Sequence, residues 1–387
     1  MPGIYLDHSA TTPVRREVVE AMLPYFSSSF GNPSSIHVFG QAAKAALDTA
    51  RDIVADSVGA EPSEITFTGS GTEADNLSIV GALLASPPER RHLITSAIEH
   101  EAILNTAKYV ASIGCIYTIL PVDSRGMVDP NAVDRAITGS TSLVSVMHGN
   151  NEVGSIQPIK DIAEIAHRRG VLFHTDAVQT FGQLPVNVDD LGVDLLSVSA
   201  HKIYGPKGVG ALFVRRGTPI VAEICGGGQE RGRRSGTENV AGIVGFAAAV
   251  SLLLKERQEQ SSRLTVLRDR FIENALNDIE GCTLNGPDGA DRLPNNINLS
   301  FDNIEGEALL VNLDIAGIAA SSGSACSSGS IEPSHVLIAM GIDTSKNRGA
   351  IRLTLGRETT QDEMDECLAA LAQTAERLRK MSAHSLG

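Results

Sequence analysis

Along the first two thirds of the chain, short apolar runs alternate with longer stretches of helical period. Glu64–Thr68, His92–Ser96, Cys115–Leu120, Leu143–Met147, Val171–Thr175, Val193–Val198 and Val209–Val214 are rich in Ile, Val, Leu, Thr and Phe. Each is too short for a helix of ordinary length and reads as a strand. Between them, His37–Val58, the stretch after Gly69–Asn76 to Leu84, the stretch after His100 to about Ala111, and Ile159–Arg169 carry apolar residues at helical spacing. Pro13 opens a further predicted helix that reaches Phe26. Strands and helices in alternation predict an α/β fold with a doubly wound, mainly parallel sheet.

The last third reads differently. A long helix with Ala and Leu on one face begins near Asn239 and continues past Arg270, in the manner of a connector between two domains. Asn296–Phe301 alternates like a half-buried strand, Ser321–Ser330 is nearly all small residues and reads as a loop, and a helix runs from Pro333 to Gly341. Ile351–Leu355 alternates again, which puts Arg352 and Thr354 on one face, away from the local core and toward a cleft. Gln361–Lys380 is an amphipathic helix, acidic first and basic last. A length of 387 residues fits this change of pattern, being enough for a large domain and a smaller one.

The polar residues that follow the predicted strands carry the chemistry. Thr72, His100, Asn151, Asp176 and Lys202 each lie just past the end of a different strand. In a parallel sheet those ends share one edge, where open α/β sheets bind ligands. Lys202 sits in Ser199–Gly208, after a strand and before a Gly/Pro turn. A lone lysine there reads as a surface residue. With four other polar side chains at the same edge, it reads as the amine of a Schiff base with an aldehyde cofactor such as pyridoxal phosphate.

That cofactor asks for a lysine, a carboxylate at the pyridine nitrogen, an anion site for its phosphate and a flat group over its ring. Asp176 is the candidate carboxylate, and His100 the candidate ring-stacking group and proton shuttle. Gly71 and Thr72 lie at a strand–glycine turn–helix junction, either an anion site or an ordinary capped helix with Thr72 near the cap. Thr72, Ser199 and His201 are candidates for the phosphate, and Gln179 and Asn151 for the ring oxygen or the substrate. Arg352 suits a bidentate grip on an amino acid's carboxylate. Gly226–Thr237 is either a solvated basic loop or a loop carrying phosphate ligands to a neighbouring subunit.

Composition narrows the classes. A net charge of −14 argues against bulk nucleic-acid binding, which needs a basic face. Five cysteines, none in a C-x-x-C pair, point to reduced thiols and a cytoplasmic protein. No basic-then-apolar leader opens the chain, and Val240–Leu254, interrupted by Gly242 and Gly245, is too short to span a membrane.

The stretches YLDHSATTP, GNPSSIH, FTGSGTEADN, IEHEAI, HGNNEVG, HTDAVQ, SAHKIYGPKG, GGGQERGRRSGTEN, SSGSACSSG and IRLTLGR occur in that order over nearly the whole chain. Together they resemble the cysteine desulfurases of the NifS/IscS type, within the fold-type I, aminotransferase class V pyridoxal-phosphate enzymes. The resemblance implies a large cofactor-binding domain over 13–256, and a smaller α+β domain of 1–12 with 257–387 that carries the cysteine loop. It implies that Lys202 holds the cofactor and acts as base on the α-carbon of L-cysteine. It implies that Cys326 takes the sulfur as a persulfide and that L-alanine leaves. It places Thr237 on the phosphate of the other subunit's cofactor, hence a homodimer, and it implies a sulfur-acceptor protein such as an iron–sulfur scaffold. Two other readings stay open at this level, a related lyase preferring selenocysteine and a non-catalytic sulfur-carrier scaffold.

Overall fold

The computed structural model describes residues 3–322, 334–343 and 349–385, with side chains described to residue 381. Its strands are β1 (Ile4–Tyr5), β2 (Ile65–Thr68), β3 (His92–Ser96), β4 (Ile116–Leu120), β5 (Thr141–Ser145), β6 (Leu172–Asp176), β7 (Leu195–Ser199), β8 (Gly210–Val214), β9 (Cys282–Leu284), β10 (Asn296–Phe301), β11 (Ile318–Ala319) and β12 (Ile351–Thr354). Its helices are α1 (Arg16–Met22), α2 (Pro24–Ser27), α3 (Val38–Val58), α4 (Gly71–Ala85), α5 (Glu101–Ser112), α6 (Pro130–Ala136), α7 (Ile159–Arg168), α8 (Val188–Leu191), α9 (Val240–Asp278), α10 (Gly306–Ile315), α11 (His335–Ala339) and α12 (Gln361–Ser385).

Seven strands form one sheet in the order β2-β8-β7-β6-β5-β3-β4. The pairs β4–β3, β3–β5, β5–β6 and β6–β7 are parallel, while β8 runs antiparallel to both β7 and β2. The reversal of β8 has a local cause. A parallel return needs a crossover of a dozen or more residues, usually a helix, and β7 and β8 are joined only by a 3₁₀ turn and a Gly/Pro bend. Because β2 is reversed twice relative to β7, it points the same way as the parallel strands. All the strand ends that matter therefore still meet at one edge.

Buried aliphatic and aromatic residues cover both faces of this sheet. One core joins Phe67, Val144, Phe173 and Val198 to α3 and the amino-terminal half of α9, and the other joins Leu93, Leu143 and Leu195 to α4 and α5. Burying each such side chain fully contributes about 1.5–3 kcal/mol. A third core, around Leu6, Phe271, Leu299, Leu353 and Leu371, lies between the antiparallel sheet β12-β10-β9, the carboxyl-terminal half of α9, and α10 and α12. The 39-residue α9 thus reaches from the first core into the third.

Local chemistry sets several boundaries. His37 caps α3 by accepting the Gly40 N–H at 3.3 Å, and Gly59 ends it at φ 72°, where a side chain would strain the backbone. Pro13 does not begin a helix; the first turn starts at Arg16, and Leu23–Pro24 divides the expected single helix in two. β5 lies two residues earlier than its apolar run predicts. β10 and β12 are buried on both faces, so neither behaves as the half-exposed strand that alternation suggests.

Candidate active site

The sheet order fixes where a crevice opens. The connection from β3 leads outward to β4, while β5 leads the opposite way to β6 and β7, so the winding reverses between β3 and β5. His100 follows β3, Asn151 follows β5, Asp176 is the last residue of β6, and Lys202 ends the turn after β7. A reversal point at the carboxyl ends of parallel strands is the crevice of this architecture.

Lys202 is held there by main chain. Its Nζ donates to the carbonyl of Ala10 at 2.9 Å and to that of Ser9. Gln179 Nε2 donates to the same Ser9 carbonyl at 3.1 Å. The segment Asp7–Thr12, which turns at residues 8–10, therefore lies across the lysine. Thr12 fastens it, its Oγ1 donating to the His201 carbonyl at 2.8 Å and accepting the Tyr204 N–H at 2.8 Å. Tyr204 sits at φ 65°, a left-handed value rare for an aromatic residue, at the bend that follows the lysine.

Asp176 is buried, and its Oδ1 accepts the Val178 N–H at 2.8 Å. Burial pushes its carboxyl up, while the Val178 bond and the charges of His100 and Lys202 pull it down. His100 is held below the ordinary histidine range by burial, opposed by Asp176 and reinforced by Lys202. These three groups feel one another's charge across the crevice. His201, beside the lysine, is driven to about 4 by burial and by the charges of Lys202 and Lys207. Its Nδ1 lies 3.2 Å from Thr11 Oγ1.

The amino terminus of α4 closes one end. Ser70, not Thr72, is its cap, accepting the Glu73 N–H at 3.1 Å. Thr72 is exposed on the first turn. A Cβ built on Gly71 would stand 2.8 Å from Val178 Cγ2 and 3.4 Å from Ser199 Cβ. Only glycine lets the helix end come this close to β6 and β7. Ser199 Oγ, buried there, has no hydrogen-bond partner. An unpartnered buried hydroxyl beside a helix amino terminus suits an oxyanion.

The Gly/Arg loop is largely exposed but anchored at two points. Glu230 is buried and pairs with Arg51 at 2.6 and 2.7 Å, while also accepting the Phe67 N–H at 2.9 Å. Arg234 Nε binds Glu73 Oε1 on the first turn of α4 at 2.8 Å. Thr237, beyond these anchors, is exposed.

At the other end, Arg352 projects from β12 and is 3% exposed. It donates to Asp7 Oδ1 at 2.7 Å and to the Asn151 carbonyl at 3.2 Å, and its Nε has no partner. Cys326 lies outside the described residues. The residues that follow that segment reach the crevice: Ser334 Oγ donates to Glu152 Oε2 at 2.5 Å, and His335 Nε2 donates to the Glu99 carbonyl at 3.0 Å.

Sequence reasoning missed Asp7, Ser9, Ala10, Glu99 and Glu230. The first three lie in a short run with no periodicity, within the YLDHSATTP stretch, which enters the family resemblance but gives them no role. Glu99 is fully buried, accepts the Met147 N–H at 3.0 Å, and is pushed up to about 8, chiefly by burial. Nothing about one acidic residue beside a histidine predicts that in sequence.

The donor set fits pyridoxal phosphate. An amine, a buried carboxylate for a basic ring nitrogen, an imidazole, and an oxyanion cradle with an unpartnered hydroxyl converge on one crevice, and a guanidinium for a carboxylate flanks it. Among the described residues no cluster of metal-ligating side chains occurs, and no helix is long and apolar enough to cross a membrane.

Residues 4–367 match the aminotransferase class-V family. A curated cysteine desulfurase, IscS of Dictyoglomus turgidum, is 50% identical over 98% of this chain and 96% of its own length. A solved NifS-like protein superposes with a TM-score of 0.91 at 39% identity, covering 97% of this chain and all of that one. A structure titled SspA in complex with cysteine gives a TM-score of 0.79 at 38% identity, over 91% of this chain and 98% of that one. The α/β crevice and these similarities agree: the chain belongs to the aminotransferase class-V family, among its pyridoxal-phosphate-dependent cysteine desulfurases of the NifS/IscS type.

Proposed function

We propose that this enzyme takes sulfur from L-cysteine through Lys202 and Cys326, releasing L-alanine and leaving a persulfide for a protein acceptor. The observation that carries the reading is the convergence of Lys202, Asp176 and His100 at the reversal of the sheet. When bound, pyridoxal phosphate supplies an electron sink for the bonds at the substrate's α- and β-carbons.

The chain's residues divide the remaining work. Lys202 Nζ is the amine that holds the cofactor and the base that moves the α-proton. Asp176 would pair with the cofactor's ring nitrogen and keep it protonated, and His100 would stack on the ring. Gly71, Thr72, Ser199 and His201 would hold the phosphate, with Thr237 reaching it from the other subunit. Gln179 and Asn151 serve the ring oxygen and the substrate, and Arg352 binds the substrate carboxylate. The Cys326 thiolate forms an S–S bond with the substrate sulfur as the carbon–sulfur bond breaks, the electron pair staying with carbon until a proton restores L-alanine. Other thiols suit this poorly: Cys115, Cys282 and Cys367 are buried, and burial raises the last two to about 12.

A homodimer fits the surface. Leu23, Phe26, Phe30, Ile36, Val38 and Phe39 are all exposed within one stretch, beside a groove of about 410 Å³ bordered by α3 and α9. A second copy of this chain would cover that apolar area. The division into 13–256 against 1–12 with 257–387 is supported by the separate core around Leu6 and Leu353. An iron–sulfur scaffold as acceptor and a cytoplasmic site complete the reading.

The test is Cys326→Ala. The variant should keep its cofactor's visible absorbance and lose both the persulfide and sulfide release from L-cysteine, while Cys225→Ala keeps all three. Undiminished sulfur transfer by Cys326→Ala would remove that thiol from the mechanism.

A further inference from the structure

His100 is the amino-terminal cap of α5, and its ring is the capping group. The N–H of Ala102 donates to His100 Nδ1 at 3.1 Å. A ring nitrogen that accepts a hydrogen bond carries a lone pair, so it carries no proton. The neutral ring must then hold its proton on Nε2. Ala102 is buried, and its N–H is one of the first-turn donors that the helix itself cannot satisfy.

From this geometry we infer that His100 works as a fixed Nε2–H donor, locked in one tautomer by the helix cap, and not as a group that gains and loses a proton during turnover. Nε2 already bears hydrogen and can accept no second one. Uptake at Nδ1 would turn two N–H groups toward each other and leave the Ala102 amide buried without a partner. Charging His100 and capping α5 are therefore mutually exclusive.

The surroundings favour the neutral form on balance. Asp176 at the end of β6 and Glu101 on α5 favour the charged ring, while Lys202 after β7 and His335 on α11 oppose it, and burial opposes it most. The catalytic consequence rests on the reading proposed above, in which His100 faces the cofactor. Proton movement at the substrate then falls to Lys202, and His100 orients what it touches.

The tautomer can be read directly. In protein labelled with ¹⁵N-histidine, the His100 ring signals are identified by their loss in His100→Asn, a substitution that keeps a good capping oxygen. Nδ1 should appear at the shift of an unprotonated ring nitrogen and Nε2 at that of a protonated one, unchanged from about pH 6 to about pH 9. This should hold both with and without pyridoxal phosphate. A proton on Nδ1, or a titration within that range, would overturn the inference. The second measurement is the pH profile of kcat/KM for L-cysteine. His100→Asn should lower its height and keep its inflections, and a missing inflection would show that His100 titrates in turnover. Should L-cysteine not be turned over at all, the proposed function fails, while the ring spectrum still decides the tautomer.

Discussion

The two ends of the crevice are built by opposite means. On the large sheet, each functional side chain leaves a strand end and is steadied by nearby main chain: Asp176 by Val178, His100 by Ala102, Lys202 by the carbonyls of Ser9 and Ala10. On the small sheet, Arg352 projects from within a strand buried on both faces, and its partners Asp7 and Asn151 come from distant parts of the chain. Strand ends can carry polar groups cheaply, because loops and helix termini supply hydrogen bonds there. A guanidinium projecting from a buried strand must have a charged or carbonyl partner, since a buried charge left alone costs several kcal/mol. The first end is a matter of topology and the second a matter of long-range pairing.

Removing the amine tests the topological end most severely. Lys202→Ala should abolish the covalent cofactor's visible absorbance and lower kcat/KM by at least about 10³-fold. A variant that keeps the band would mean that another amine at the edge does the work. The paired end should respond in a different parameter. Arg352→Ala should raise KM for L-cysteine so that kcat/KM falls by about 10²-fold, as expected for loss of a charged hydrogen-bonded contact. Because the cofactor's amine is untouched, the absorbance band should remain. If it vanished instead, the two ends would not be separable and the contrast between them would be lost.

The same contrast decides what could be read in advance. Strand-then-polar punctuation is a local signal, so Thr72, His100, Asn151, Asp176 and Lys202 were legible as one edge before any fold was known. Even the unforeseen reversal of β8 left that edge intact, because β2 is turned back with it. Arg352 was legible as a residue facing a cleft and suited to a carboxylate, whereas Asp7 stood in the YLDHSATTP stretch with no role attached to it. Its importance comes from parallel pairing of β1 with β11 and from its own bridge to Thr354, which lay residues 4–7 against the small domain roughly 300 residues later in sequence. A two-residue strand leaves no periodicity to detect. Glu230 was hidden for a similar reason, since a buried ion pair with Arg51 looks in sequence like charge in a basic loop. Cys326 was legible only through the family resemblance.

Glu99 sharpens the comparison from below the large sheet's edge. Its carboxyl is raised from 4.5 to about 8, chiefly by burial. The protonated form is the one the fold accommodates. Its stabilising contribution is complete below the ordinary value and is lost as pH rises through about 8. Glu99→Gln keeps the shape, accepts the Met147 N–H and cannot ionise. The variant should therefore gain on the wild type as pH rises from about 4.5, levelling off at about 5 kcal/mol in denaturant titrations above pH 8. A constant difference across pH would mean that Glu99 is ionised in the fold, and that the strand edge stores charge as the small sheet does.

Asp7→Asn makes the smallest and most discriminating change, because folding and binding should move in opposite directions. In the wild type the Asp7 carboxylate occupies part of the Arg352 guanidinium, whose Nε has no partner. Neutralising Asp7 leaves a charge at 3% exposure less well compensated, so the free protein should lose about 1 kcal/mol of stability. An amino acid's carboxylate can restore that compensation. L-alanine, which cannot be desulfurated, should then raise the melting temperature of Asp7→Asn more than that of the wild type at equal concentration. Arg352 stays in place because its main chain is paired with Ser321 and its Nη1 with the Asn151 carbonyl. An equal ligand shift in both proteins would mean that Asp7 does not compete for the guanidinium. The paired end would then be a structural clasp, and substrate recognition would have to lie with the strand ends alone.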